Sequence, residues 1–134
     1  MTAEQNAYVR YRLERARTTL DEARGLLDLG HPYGAVNRLY YACFYAVCAL
    51  LFTEGKSASK HAGIRSFFDE GWVKPRRVSP ELGRFYRAMF KNRQKADYGD
   101  RVSFDPAVVR GWFDKATVFV AEIARLAEEQ LDKG

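Results

Sequence analysis

Arg93, Asp97 and Tyr98 place a guanidinium, a carboxylate and a phenol within the run Arg93-Gln94-Lys95-Ala96-Asp97-Tyr98. The run closes a segment whose apolar stripe, Leu82, Tyr86, Met89, has Arg93 as its next member. Steps of three or four residues keep side chains on one helical face. The face that should bury apolar groups therefore delivers a cation, which is costly unless something satisfies it. Asp97, one turn on, is in reach to pair with Arg93, and the C-terminal turn of a helix itself favours a cation. Two chemistries fit. One is a half-buried Arg–Asp–Tyr network that pins helices together. The other is a site in which a guanidinium stabilises an anion such as a phosphate.

A second row mirrors the first. Arg38, Tyr41, Tyr45, Cys48 and Phe52 follow one another in steps of 3 and 4, again with an arginine at the end of an apolar stripe. The imidazoles are His31 and His61. His31 lies in Gly30-His31-Pro32, a helix stop, and reads as a turn residue. His61 stands beside Lys60 at a predicted helix start, where the dipole disfavours its charged form. It is either a solvent-facing structural residue or a further member of the polar pocket.

Helical periodicity positions these groups, and no stretch alternates as a strand. Helix 1 is predicted over about Ala3–Leu29 on the stripe Val9, Leu13, Ala16, Leu20, Ala23, Leu27. Helix 2, about Tyr33–Thr53, is apolar nearly all round, with Asn37 and Arg38 its only strongly polar body residues, and so is central. A short helix 3 covers about Lys60–Glu70, burying Ile64, Phe67 and Phe68. A basic loop carrying Trp72 follows over Gly71–Val78. Helix 4 opens with Ser79-Pro80-Glu81 and runs to about Tyr98, ending at Gly99-Asp100. Helix 5 opens at Asp105-Pro106 with the stripe Val109, Phe113, Ala116, Val120, Ile123, Ala127. The expected fold is all-α: one domain over residues 1–134, an up-and-down bundle of four long helices and a short one. The aromatics Tyr33, Tyr40, Tyr41, Phe44, Tyr45, Phe67, Phe85 and Tyr86 are expected mostly in the core.

A chain of 134 residues, 47% hydrophobic and 14% aromatic, can bury one core and is too apolar for disorder. The longest apolar run, Val36–Phe52, contains Asn37 and Arg38 and reads as too short and polar to span a bilayer. With no secretion signal at the N-terminus, the expected location is the cytoplasm. Cys43 and Cys48, about 7.5 Å apart in helical rise, cannot form a disulfide and read as small hydrophobes, with no metal-ligand cluster. Net charge is +5, yet Lys74–Arg101 holds nine basic against three acidic residues. Such a concentration fits either a solvated face or an anionic partner, with nucleic acid foremost.

Three motifs carry a family resemblance. Asn37-Arg38-Leu39-Tyr40-Tyr41-Ala42-Cys43-Phe44-Tyr45-Ala46 resembles the helix-2 signature of small prokaryotic HEPN-domain proteins. Lys60-His61-Ala62-Gly63-Ile64 resembles the Lys-x-His-x-Gly-type start of their next helix. Arg93 to Asp100 resembles their late-helix motif in an Arg-x-x-x-Asp-Tyr form. Order and spacing agree over essentially the whole chain. The resemblance implies a HEPN bundle, commonly a homodimer with the late-helix arginine near the interface. It also implies pairing with a minimal nucleotidyltransferase, as in toxin–antitoxin systems.

Many HEPN proteins are metal-independent endoribonucleases with an Arg-x4-6-His motif, in which the resemblance implies a composite site from two protomers. Here the fifth position after Arg93 is Tyr98, and no histidine occurs at the fifth to seventh. Arg93 carries over; the histidine role does not, and a phenol with a pKa near 10 is a poor base at neutral pH. A family tyrosine that a partner modifies falls two residues after that histidine, which is Asp100 here. The expected function is therefore binding of a nucleotide or RNA phosphate through Arg38, Tyr41, His61, Arg93, Asp97 and Tyr98, without a metal or cofactor, alongside a nucleotidyltransferase-type partner. The alternatives are a ribonuclease toxin using Arg93 as its catalytic cation, and a structural dimer whose charges only specify packing.

Overall fold

The computed structural model describes residues 1–99 and 102–133. Asp100, at the expected helix 4 stop, and Arg101, the last cation of the basic segment, lie outside the described residues, as does Gly134. Helices α1 (Ala3–Asp28), α2 (Pro32–Phe52), α3 (His61–Phe68), α4 (Pro80–Tyr98) and α5 (Pro106–Lys133) form an all-α bundle, four long and one short. No strand occurs among the described residues.

Local chemistry sets the boundaries. Thr2 caps α1 in a reciprocal box with Gln5. Gly30, at φ 81°, closes α1 in a Schellman turn: His31 N–H donates to Leu26 C=O at 2.8 Å and Gly30 N–H to Leu27 C=O at 3.1 Å. The Ser79 hydroxyl accepts from Leu82 N–H at 3.2 Å, and Pro80 takes the first position of α4.

The centre is α2. It packs against α1, α5 and α4, and Leu39, Ala42, Val47, Ala49 and Leu51, spread over more than half of its circumference, are all buried. By length and composition alone α2 is apolar enough to cross a membrane, contrary to the expectation for Val36–Phe52. The difference is one of limits, because the helix begins at Pro32 and spans 21 residues. The α1 stripe is buried in full, and α5 adds Phe119, Ala124 and Leu126 to its expected face. Cys43 is buried and Cys48 half-buried, and burial pushes the Cys48 thiol up to about 11.

Three further expectations are corrected. Gly71–Val73 does not start a loop: α3 runs on as a π-helical turn over Asp69–Val73, closed by Lys74 N–H donating to Asp69 C=O at 2.8 Å. The wider turn rotates Trp72 into the core, where the Arg77 guanidinium covers its ring at 3.5 Å. Phe67, expected in the core, is 36% exposed. On so short a helix the buried face is narrow, and Ile64 and Phe68, four residues apart, already fill it. Tyr33 is also exposed, at the start of α2, with Phe104 edge-on at 5.2 Å.

Candidate functional site

Three helices deliver the polar groups to one place. The C-terminal half of α4 supplies Arg93 and Asp97, the N-terminal half of α2 supplies Asn37, Arg38, Tyr40 and Tyr41, and the first residue of α3 is His61. Arg93 is only 12% exposed in its side chain. Its Nη1 donates to Asp97 Oδ2 at 3.2 Å, and its Nη2 lies 3.5 Å from His61 Nδ1. Its guanidinium sits over the Tyr40 ring at 5.0 Å. Arg93 Nε is buried without a partner among the described residues. The Asn37 amide bridges the two arginines: its Nδ2 donates to Asp97 Oδ1 at 3.3 Å, and its Oδ1 accepts from Arg38 Nε at 3.0 Å and Nη2 at 2.7 Å. Arg38 also reaches Glu22 on α1, at 3.7 Å. The ring of Tyr41 is thereby bracketed by two guanidiniums, Arg38 at 5.2 Å and Arg93 at 5.9 Å.

His61 is half-buried and lies parallel to Phe44 at 4.3 Å. Its Nδ1 is 3.0 Å from the Tyr40 hydroxyl. Burial pushes the Tyr40 phenol up, so it remains protonated. Burial first, and the Arg93 charge second, lower the His61 pKa. The native state thus prefers the neutral imidazole, whereas the unfolded chain titrates normally. The stabilising contribution is fully present above the ordinary histidine value of about 6.5 and is lost as pH falls through the lowered native value. Urea denaturation on either side of about pH 6.5 is expected to show this fall, and His61→Gln to flatten it. An unchanged slope in the variant would remove His61 as its source.

Of the six residues singled out in the sequence, Arg38, Tyr41, His61, Arg93 and Asp97 come together. Tyr98 does not: it is 78% exposed and its side chain makes no hydrogen bond to a described residue. Asn37 and Tyr40 belong to the site although sequence reasoning left them out of it. Their signal was present, since Asn37, Tyr40 and Phe44 form a stripe beside Arg38, Tyr41 and Tyr45, shifted by one residue. A groove of about 850 Å³ lies elsewhere, between α4 and α5, over Leu82, Phe85, Met89, Trp112 and Val118. None of the six residues lines it. Arginine, lysine, aspartate and glutamate side chains line it as well, so both charge signs are present there too.

Residues 9–129 match the model of the HEPN domain family. A relative from Thermotoga maritima, named "UPF0332 protein", is 43% identical over 126 residues, covering 94% of this chain and 96% of its own. A protein of Methanocaldococcus jannaschii named "Putative toxin MJ0142" is 28% identical over 108 residues, covering 81% of this chain and 74% of its own. The fold is shared with the crystal structure of TT1696 from Thermus thermophilus, at a TM-score of 0.67 and 24% identity, over 91% of this chain and 97% of that one.

Proposed function

This chain belongs to the HEPN domain family, and we propose that within it the chain binds a nucleotide or RNA phosphate as the toxin-like member of a two-protein system. The partner in this reading is a minimal nucleotidyltransferase, and the chain itself is a homodimer. The carrying observation is the pair of guanidiniums, Arg38 and Arg93, both within 6 Å of the Tyr41 ring centroid, with the His61 imidazole of α3 beside Arg93. Asp97 and Glu22 offset part of that charge without filling the donors. A phosphate takes several N–H donors at once, which is what two neighbouring guanidiniums offer. Relatives that carry the name "Putative toxin" support the toxin-like role.

The test has two parts. Calorimetry with ATP and with a short single-stranded RNA is expected to give saturable binding that weakens with salt. Expression of the chain alone is expected to slow growth, and co-expression of a nucleotidyltransferase encoded beside it to relieve the arrest. Absence of binding to either ligand sinks the proposal.

One observation favours a second reading, metal-independent RNA cleavage: Arg93 Nη2 and His61 Nδ1 are 3.5 Å apart, so a guanidinium and an imidazole share one pocket despite Tyr98 standing at the motif's histidine position. Cleavage of single-stranded RNA in the presence of a chelator would establish it.

A further inference from the structure

The Tyr40 hydroxyl does more than fill space. Tyr40 is fully buried in the middle of α2, yet its oxygen ends 3.0 Å from His61 Nδ1. The same nitrogen faces Arg93 Nη2 at 3.5 Å. A guanidinium has N–H groups and no acceptor, so any hydrogen bond between these two nitrogens runs from Arg93 to a lone pair on Nδ1. A proton on Nδ1 would instead point at a cation. The phenol can rotate to donate in the same direction. The ring is kept in register by Phe44 at 4.3 Å and by Tyr40 itself, stacked at 5.6 Å. Nε2 hydrogen-bonds to no described residue and is not among the atoms buried without a partner.

We infer that Tyr40 is a positioning residue that, together with Arg93, fixes His61 as the neutral Nε2–H tautomer, so that the pocket offers an oxyanion an imidazole N–H donor rather than a general base. The inference rests on the proposed phosphate-binding reading and deepens it. The ligand it selects is a phosphate oxygen, held by Nε2–H and the arginine donors. A base at His61 needs a lone pair on Nε2, and in this tautomer that nitrogen carries the proton. Among the described residues, the groups facing His61 are Tyr40, Tyr41 and Phe44 from α2 and Arg93 from α4, with Lys60 preceding it in the chain. None of these is a carboxylate that would favour a proton on Nδ1; Asp97 is engaged by Arg93 and Asn37.

Imidazole ¹⁵N spectra of the full chain at neutral pH test this without any ligand. The expected result is an unprotonated Nδ1 and a protonated Nε2 for one of the two histidines, assigned to His61 by its loss in His61→Gln. A protonated Nδ1 overturns the inference and supports the cleavage reading instead. Tyr40→Phe, nearly isosteric, is expected to fold and to raise the Nδ1–H share; an unchanged tautomer ratio overturns the role of Tyr40. Inorganic phosphate is then the probe. It is expected to shift the Nε2–H resonance, with binding about two- to fivefold weaker in Tyr40→Phe. If the tautomer is as inferred and phosphate leaves Nε2 unmoved, the binding function fails while the tautomer assignment stands.

Discussion

Arg93→Ala is expected to weaken binding of inorganic phosphate and short RNA by about 1.5–3 kcal/mol, or roughly 10- to 150-fold in Kd. The size follows from where the guanidinium sits. It is 12% exposed, oriented by Asp97 and covered on one face by Tyr40, so its donors are held in place before a ligand arrives. Stability should fall by only about 1–2 kcal/mol, because Asp97 stands at the exposed rim and keeps its bond from Asn37 when Arg93 is gone. Arg93→Lys keeps the charge but lacks the fork that reaches Asp97 and His61 together, and is expected to fall between wild type and alanine. Calorimetry for binding and urea denaturation for stability separate the two effects. A large stability loss with unchanged binding would make the Arg93–Asp97–Asn37 network a packing device, the alternative that the sequence left open.

The sequence disclosed more of the fold than of the site, for a physical reason. Long helices betray themselves through repetition: the stripe from Val9 to Leu27 repeats its 4-and-3 step for the whole of α1, and every member is buried. Caps at Ser79-Pro80 and the stop at Gly30 are local chemistry, visible in a few adjacent residues. The π-turn at Asp69–Val73 is different. Gly71 and Pro75 have the composition of a loop, and only the burial of Trp72 against the bundle makes the extra residue per turn worthwhile. Within the site, Arg93 and Asp97 were legible because they share a helix at four-residue spacing. The pairing of His61 with Arg93 joins residues 32 apart in sequence, and that of Asn37 with Asp97 joins residues 60 apart. Such contacts depend on how α2, α3 and α4 dock. Tyr98 was placed in the site as the fifth residue after Arg93, where the family motif carries a histidine, but it lies one residue, a rotation of about 100° on a helix, beyond Asp97, enough to turn it to solvent.

Phe119→Ala is expected to cost about 3–5 kcal/mol, a large part of the roughly 5–15 kcal/mol of a domain this size. Phe119 is fully buried on α5 and stacks on Tyr86 of α4 at 5.7 Å with rings 6° from parallel. Tyr86 stacks in turn on Tyr40 of α2 at 6.1 Å, and Tyr40 on His61 of α3 at 5.6 Å. One aromatic column therefore runs through four helices, with its inner end in the core and its outer end in the pocket. Truncating Phe119 opens a cavity beneath the column, which must either stay empty or be filled by movement of Tyr86. Thermal unfolding is expected to drop by about 10–20 °C. Well below that transition, the His61 imidazole resonances are expected to broaden, because the ring that holds Nδ1 has lost its support. Tyr11→Ala, at an exposed position on α1, should change neither. If Phe119→Ala lowers the melting temperature but leaves the His61 signals sharp, the column is core packing alone, and Tyr40 is held by its α2 neighbours rather than from below.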